Sequence, residues 1–177
     1  MTHETIIVVD DTLPVVRIGR EFDAPVERVY RAHVDPSLFV RWIGPADMAA
    51  RVEHWDARTG GSWRYIATRG DFEAVFWGCF HELRDNELVI QTQTFEGTPD
   101  RVSLDRLALE AIGASRTRLV CTSLHESFED RDALVASGME LGLWQGYEQL
   151  DLLLLASLEV DAQRRPGPDP NKRREHR

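Results

Sequence analysis

Apolar and polar positions alternate through most of the middle of the chain, and a helical spacing takes over near both ends. The run Val15–Phe22 (VVRIGREF) reads as a strand, extended back toward Thr5 through a break at Pro14. Asp23-Ala24-Pro25 starts a helix that places Val26, Val29, Tyr30 and His33 on one face, and Asp35-Pro36-Ser37 stops it. Residues 38–42 (LFVRW) form a second short helix ended by Gly44-Pro45. Strands follow at about 50–56, 61–69, 72–83, 87–96, 103–111 and 117–124, separated by turn sequences such as Arg58-Thr59-Gly60-Gly61 and Arg84-Asp85-Asn86. Such short connections predict antiparallel pairing of consecutive strands. Ser127-x-x-Asp130 and Ser137-x-x-Glu140 resemble capping boxes, which predicts a helix over 128–136 and a long one over 138–159, with Gly138 at the joint.

The long helix carries Gly138, Gly142 and Gly146 at i, i+4 and i+8. Each interior glycine costs about 1 kcal/mol of helix propensity relative to alanine, so something is expected to approach that stripe closely. Met139, Leu143, Tyr147 and Leu150 lie beside it and can wall a cavity as readily as a solid core. On the strands, period two groups Trp63 with Tyr65; Phe76 with Gly78 and Phe80; Val89 with Gln91, Gln93 and Phe95; Leu107 with Leu109; and Leu119 with Cys121. These faces are assigned to the interior. The opposite assignment of residues 72–83 turns Trp77, Cys79 and His81 inward, and periodicity alone does not decide between them. Inward Gln91 and Gln93 need polar partners, which a polar group on a mainly apolar ligand, each other, or ordered water can supply.

Composition narrows the classes. The 177 residues are 42% apolar, enough for one cored domain over 1–160. Residues 161–177 hold six Arg/Lys against three Asp/Glu and no packing residues, and read as a disordered, basic, Pro-rich tail. With a net charge of −9 overall and +3 in the tail, the body carries −12, which argues against binding nucleic acid. Cys79 and Cys121 lack metal-type pairing, and no secretory leader pattern opens the sequence, so a cytoplasmic setting is expected. No run of large apolar side chains is longer than Leu152–Leu155, which is far below the roughly 20 residues of a membrane span.

Several segments, in order across residues 15–158, carry a resemblance. They are FDAPVERVY (22–30), DPSLFVRWIGP (35–45), WDARTGGSWRY (55–65), FEGTP (95–99), TRL (117–119) and RDALVASGMELG (131–142). The chain resembles the SRPBCC superfamily, with its START-like or Bet v 1-like helix-grip fold. Within that superfamily it is similar to the bacterial group related to the C-terminal domain of the activator of Hsp90 ATPase. The resemblance implies an α+β helix-grip fold: a curved antiparallel sheet of six or seven strands wrapped on a long C-terminal helix, with two short helices after the first strand and a cavity between sheet and helix. It implies little about chemistry, because the fold hosts carriers, receptors, cyclases and co-chaperone modules.

Catalytic signals are sparse. No histidine pair has metal-ligand spacing, and no P-loop, dinucleotide or Gly-x-Ser-x-Gly fingerprint occurs, so neither metal nor cofactor is expected. Asp130, Arg131 and Asp132 fit a helix start, where carboxylates favour the positive end of the dipole and Arg131 makes an ion pair. The expected ligand-binding residues are Phe39, Trp42, Trp63, Tyr65, Phe76, Phe80, Gln91, Gln93, Phe95, Met139, Leu143 and Tyr147, with Phe39 and Trp42 closing one end. The function that follows is binding of a small hydrophobic ligand, lipid-, polyketide- or aromatic-like, without turnover. Two alternatives remain: a cyclase or hydrolase using His54, His81 or Asp56 if these face inward, and an Hsp90-activator-like interaction module. A homodimer stays open.

Overall fold

The computed structural model describes residues 3–164, with side chains to residue 156. Eight strands form one sheet: β1 (Ile6–Val9), β2 (Val15–Phe22), β3 (Ala49–Trp55), β4 (Ser62–Arg69), β5 (Phe72–Arg84), β6 (Leu88–Phe95), β7 (Val102–Ile112) and β8 (Arg116–Leu124). Their spatial order is β1-β2-β8-β7-β6-β5-β4-β3, and every neighbouring pair is antiparallel. Four helices complete the fold: α1 (Val26–Val34), α2 (Pro36–Phe39), α3 (Phe128–Ala136) and α4 (Met139–Arg164).

The expected six or seven strands become eight because the first one is broken in two. Asp10 Oδ1 accepts hydrogen bonds from the backbone N–H groups of Thr12 and Leu13, at 2.9 and 3.0 Å, which turns the chain between β1 and β2. Arg131 reaches back from α3 to donate to the carbonyls of Asp10 and Leu13, tying that hairpin to the helix. The long helix also runs past its expected end at 159, through Arg164, so the first residues assigned to a disordered tail are helical. The rest of that tail, 165–177, lies outside the described residues.

β2 pairs with β8 while β3 lies at the far edge, so residues 23–48 must cross the sheet and carry α1 and α2 over one end of its concave face. Two indoles tie α1 down: Trp42 Nε1 donates to Ala32 O at 2.9 Å and Trp55 Nε1 to Val34 O at 2.8 Å. Both carbonyls belong to the last turn of the helix, which has no partners of its own. Ser127 caps α3 by accepting from the Asp130 N–H at 3.1 Å, and Gly138, at φ +83°, makes the bend into α4.

The core lies between α4 and the concave face. Phe22, Leu119 and Leu150 are fully buried there, each contributing about 1.5–3 kcal/mol by leaving water. α4 lies against α1 and α3, and side chains bridge it to the strands. Large side chains therefore fill the interval at one end, where Arg20 of β2 pairs with Asp151 of α4 and lies over the rings of Phe22 and Tyr147.

Candidate functional site: the concave face

The sheet alternation carries the assigned residues onto one surface. Trp63, Tyr65 and Phe80 are buried, and Phe76, Gln91 and Gln93 are half-buried. Trp77, Cys79 and His81 are exposed on the other face, so the choice that periodicity left open falls to Phe76, Gly78 and Phe80. Gly78 is required where it stands. A Cβ there would lie 1.9 Å from the Thr92 carbonyl oxygen and 2.7 Å from Cζ2 of Trp63.

The aromatic rings form a continuous row. Tyr147 stacks near Trp42 (5.9 Å between centroids), Trp42 meets Phe39 (5.7 Å) and Phe39 meets Tyr65 (5.2 Å). Tyr65 stacks on both Trp63 (5.8 Å) and Phe76 (5.2 Å), and Phe76 meets Phe95 (5.4 Å). Phe95 sits at the rim and is exposed. Trp55, absent from the expected set, joins Phe39 (4.7 Å) to Phe80 (5.5 Å). Phe39 and Trp42 lie at the α2 end, and Met139 and Leu143 of α4 pack against the core while remaining half-buried. Trp63 Nε1 is a buried donor with no hydrogen-bond partner.

The glycine stripe of α4 serves a different neighbour from the cavity. A Cβ on Gly146 would lie 3.0 Å from Trp42 O, and one on Gly142 would touch Pro45 at 3.4 Å. Gln149 Nε2 donates to Gly44 O (3.1 Å) and Gln145 Oε1 accepts from the Ala46 N–H (3.1 Å), so this face of α4 clamps the 42–46 loop. An open groove of about 390 Å³ lies on the outer side of that contact, lined by Pro45, Asp47, Arg69, Leu141, Gly142 and Gln145 among others.

The residues named for the enzymatic alternative lie on the surface. His54 is exposed and bonds Ser62 Oγ at 3.0 Å, His81 is exposed, and Asp56 pairs with Arg58 at 2.9 Å on the surface. None of the three supplies an acid or base to the interior. The interior carboxyl is Asp105, which sequence reasoning missed. Gln91, Asp105 and Ser123 are register partners across β6, β7 and β8, flanked by Phe80 on β5 and Val16 on β2. Gln93 faces Ser103 in the adjoining rung. Leu107 and Leu109, already assigned inward, lead by steps of two to Asp105 and Ser103, and Leu119 and Cys121 lead in the same way to Ser123 and His125. A charged residue type inside breaks the usual reading of a strand, so the inward pattern is legible only as far as Leu107 and Cys121.

Ser123 Oγ donates to Asp105 Oδ1 at 2.6 Å and lies 3.3 Å from His125 Nε2. The hydroxyl has one proton and gives it to the carboxylate, so His125 must be the donor in the second contact. That order is the reverse of an activated serine, whose proton goes to the histidine. Burial pushes the Asp105 carboxyl up, opposed by hydrogen bonds from Ser123 and Ser103. Burial, reinforced by the charge of Asp105, also raises the Tyr65 phenol and the Cys121 thiol, while burial lowers His125. Near the helix start, Asp130 pairs with Arg101 (2.9 Å) and Arg131 with Asp132 (2.7 Å), as expected of structural charges. Among the described residues no His, Cys, Asp and Glu group is placed to hold a metal ion, and no helix is long and apolar enough to cross a membrane.

Known proteins share this architecture. A family model described as Activator of Hsp90 ATPase homolog 1-like protein matches residues 23–154. A protein from Arthrobacter aurescens, solved by solution NMR, is 27% identical and superposes with a TM-score of 0.79 over 97% of this chain and 98% of its own. A Chromobacterium violaceum crystal structure is also 27% identical, with a TM-score of 0.69 over 79% and 96%. The Mycobacterium smegmatis protein Ms6760, at 23% identity and a TM-score of 0.77 over 85% and 97%, shares the fold. No curated protein matches the chain.

Proposed function

Because this chain belongs to the Activator of Hsp90 ATPase homolog 1-like family, within the SRPBCC and Bet v 1-like fold, we propose that it binds a small, mainly apolar ligand between the concave face and α4. The observation that carries this reading is incomplete closure. Phe76, Gln91, Gln93 and Leu107 on the sheet and Met139 and Leu143 on the helix stay half-buried, although they belong to the inner faces of a two-layer domain. Interiors normally pack to crystal-like density, so inward apolar groups left accessible to solvent line a space rather than a core. The aromatic row supplies broad apolar faces along that space, and the two amides supply neutral groups that orient a ligand. Binding without turnover fits a serine whose proton is directed away from its histidine.

The test is titration with Nile red, a neutral fluorophore that brightens in apolar surroundings. Wild type is expected to bind it saturably, and Leu143→Trp, which fills the space, is expected to abolish binding with little change in melting temperature. Gly142→Leu, on the loop-facing side of α4, should leave binding intact. Nile red uptake that survives Leu143→Trp would remove the cavity from the explanation.

A second reading, docking to a protein, is favoured by a specific feature of the convex face. Leu104 and Leu124 are register partners there, and together with Val102 and Val120 each is 42% exposed. Wild type that takes up no Nile red at all would favour it.

A further inference from the structure

We propose that Asp105 is the polar anchor of the cavity, selecting an aromatic ligand that bears a hydrogen-bond-donating hydroxyl and rejecting anionic ones; the inference rests on the cavity reading above. Asp105 is 8% exposed and sits at the centre of the concave face, between Gln91 and Ser123 in its own rung. Its carboxylate accepts from Ser123 at 2.6 Å, and Ser103 also bonds to it. A carboxylate offers about four lone-pair sites, so two serines leave acceptor capacity for a ligand. The groups around it are already committed: Ser123 gives its proton to Asp105, and His125 is held against Ser123.

Among the described residues no free cation faces the Asp105 carboxyl. Arg20, the basic side chain that the described strands place there, is bound by Asp151 of α4. A ligand carboxylate, sulfonate or phosphate would bring a second acidic group beside Asp105 with no cation to pair either one, and a low-dielectric space penalises that arrangement strongly. A hydroxyl instead gains a hydrogen bond to a free lone pair of the Asp105 carboxyl. The ligand body is assigned from the flanking row. Trp63, Tyr65 and Phe76 form consecutive stacked pairs at interplanar angles of 24° and 20°, an aromatic wall suited to a flat ring.

The experiment is displacement of Nile red by three naphthalenes of similar shape: 2-naphthol, which donates; 2-methoxynaphthalene, which only accepts; and 2-naphthoate, which is anionic. Wild type at pH 7 is expected to prefer 2-naphthol to 2-methoxynaphthalene by about fivefold, the usual net worth of one hydrogen bond, with 2-naphthoate weakest. Asp105→Leu should erase the naphthol advantage while Nile red still binds. Asp105→Asn keeps the shape and an acceptor carbonyl, and should relieve the exclusion of 2-naphthoate even if the leucine variant fails to fold. Equal competition by naphthol and methoxynaphthalene in wild type, a preference for 2-naphthoate, or a selectivity untouched by either variant would overturn the anchor and leave the cavity standing. Absence of Nile red binding would remove both.

Discussion

His33 makes folding stability depend on pH in a window set by its burial. The ring packs on Trp42 at 4.8 Å between centroids, and Nδ1 lies 2.7 Å from Val29 O, so Nδ1 carries the proton and donates it to that carbonyl. Nε2 is buried without a partner, and a second proton there would place an unpaired charge in the core. Burial therefore lowers its pKa from 6.5 to about 4, with the Val29 bond opposing. Between those values the unfolded chain binds a proton that the folded protein refuses. Stability is thus fully present above pH 6.5 and falls as pH drops toward 4. One pH unit inside the window is worth about 1.4 kcal/mol, so His33 alone removes about 2 kcal/mol between pH 7 and pH 5. Other groups titrate too: His125 acts in the same sense, while Asp105, whose folded carboxyl is raised, gains stability on acidification. Comparison with a variant cancels them. Urea unfolding followed by circular dichroism is expected to show His33→Gln less stable than wild type at pH 7, because the ring contact is lost, with the gap narrowing by about 2 kcal/mol at pH 5. A gap of the same size at both pH values would refute the assignment of a neutral, buried His33.

The other expectations concern packing. Arg20→Ala leaves Asp151 partly buried without its guanidinium and is expected to cost about 3 kcal/mol in urea unfolding; a loss below about 1 kcal/mol would show the pair to be solvent-relaxed. Gly78→Ala drives a methyl group into the Thr92 carbonyl and must part β5 from β6, lowering the melting temperature by about 10 °C. A melt unchanged to within about 2 °C would mean that the strand pairing yields there more easily than the register implies.

Much of this protein is legible in its residue order because strand periodicity is a local property. Trp63 and Tyr65 had to share a face whatever lay above them, as did Phe76 and Phe80, and turn residues such as Arg84-Asp85-Asn86 marked the hairpins between strands. Capping was equally local: Ser127 and Gly138 signal the start of α3 and the bend into α4 through their own backbone chemistry. What the tertiary structure decided were the partners. The glycine stripe announced a close neighbour, but only the crossing path of residues 23–48 made that neighbour the 42–46 loop instead of the cavity. The turn that splits the first strand is made locally by Asp10, but its anchor on α3 comes from Arg131, more than a hundred residues away. Asp105 reads by itself as an outward strand residue. Alternation from Leu107 carries it to the inner face, but it is tolerated there because Ser123, on the neighbouring strand, supplies the hydrogen bond that a buried carboxyl requires, and no local pattern encodes a bond between positions eighteen residues apart.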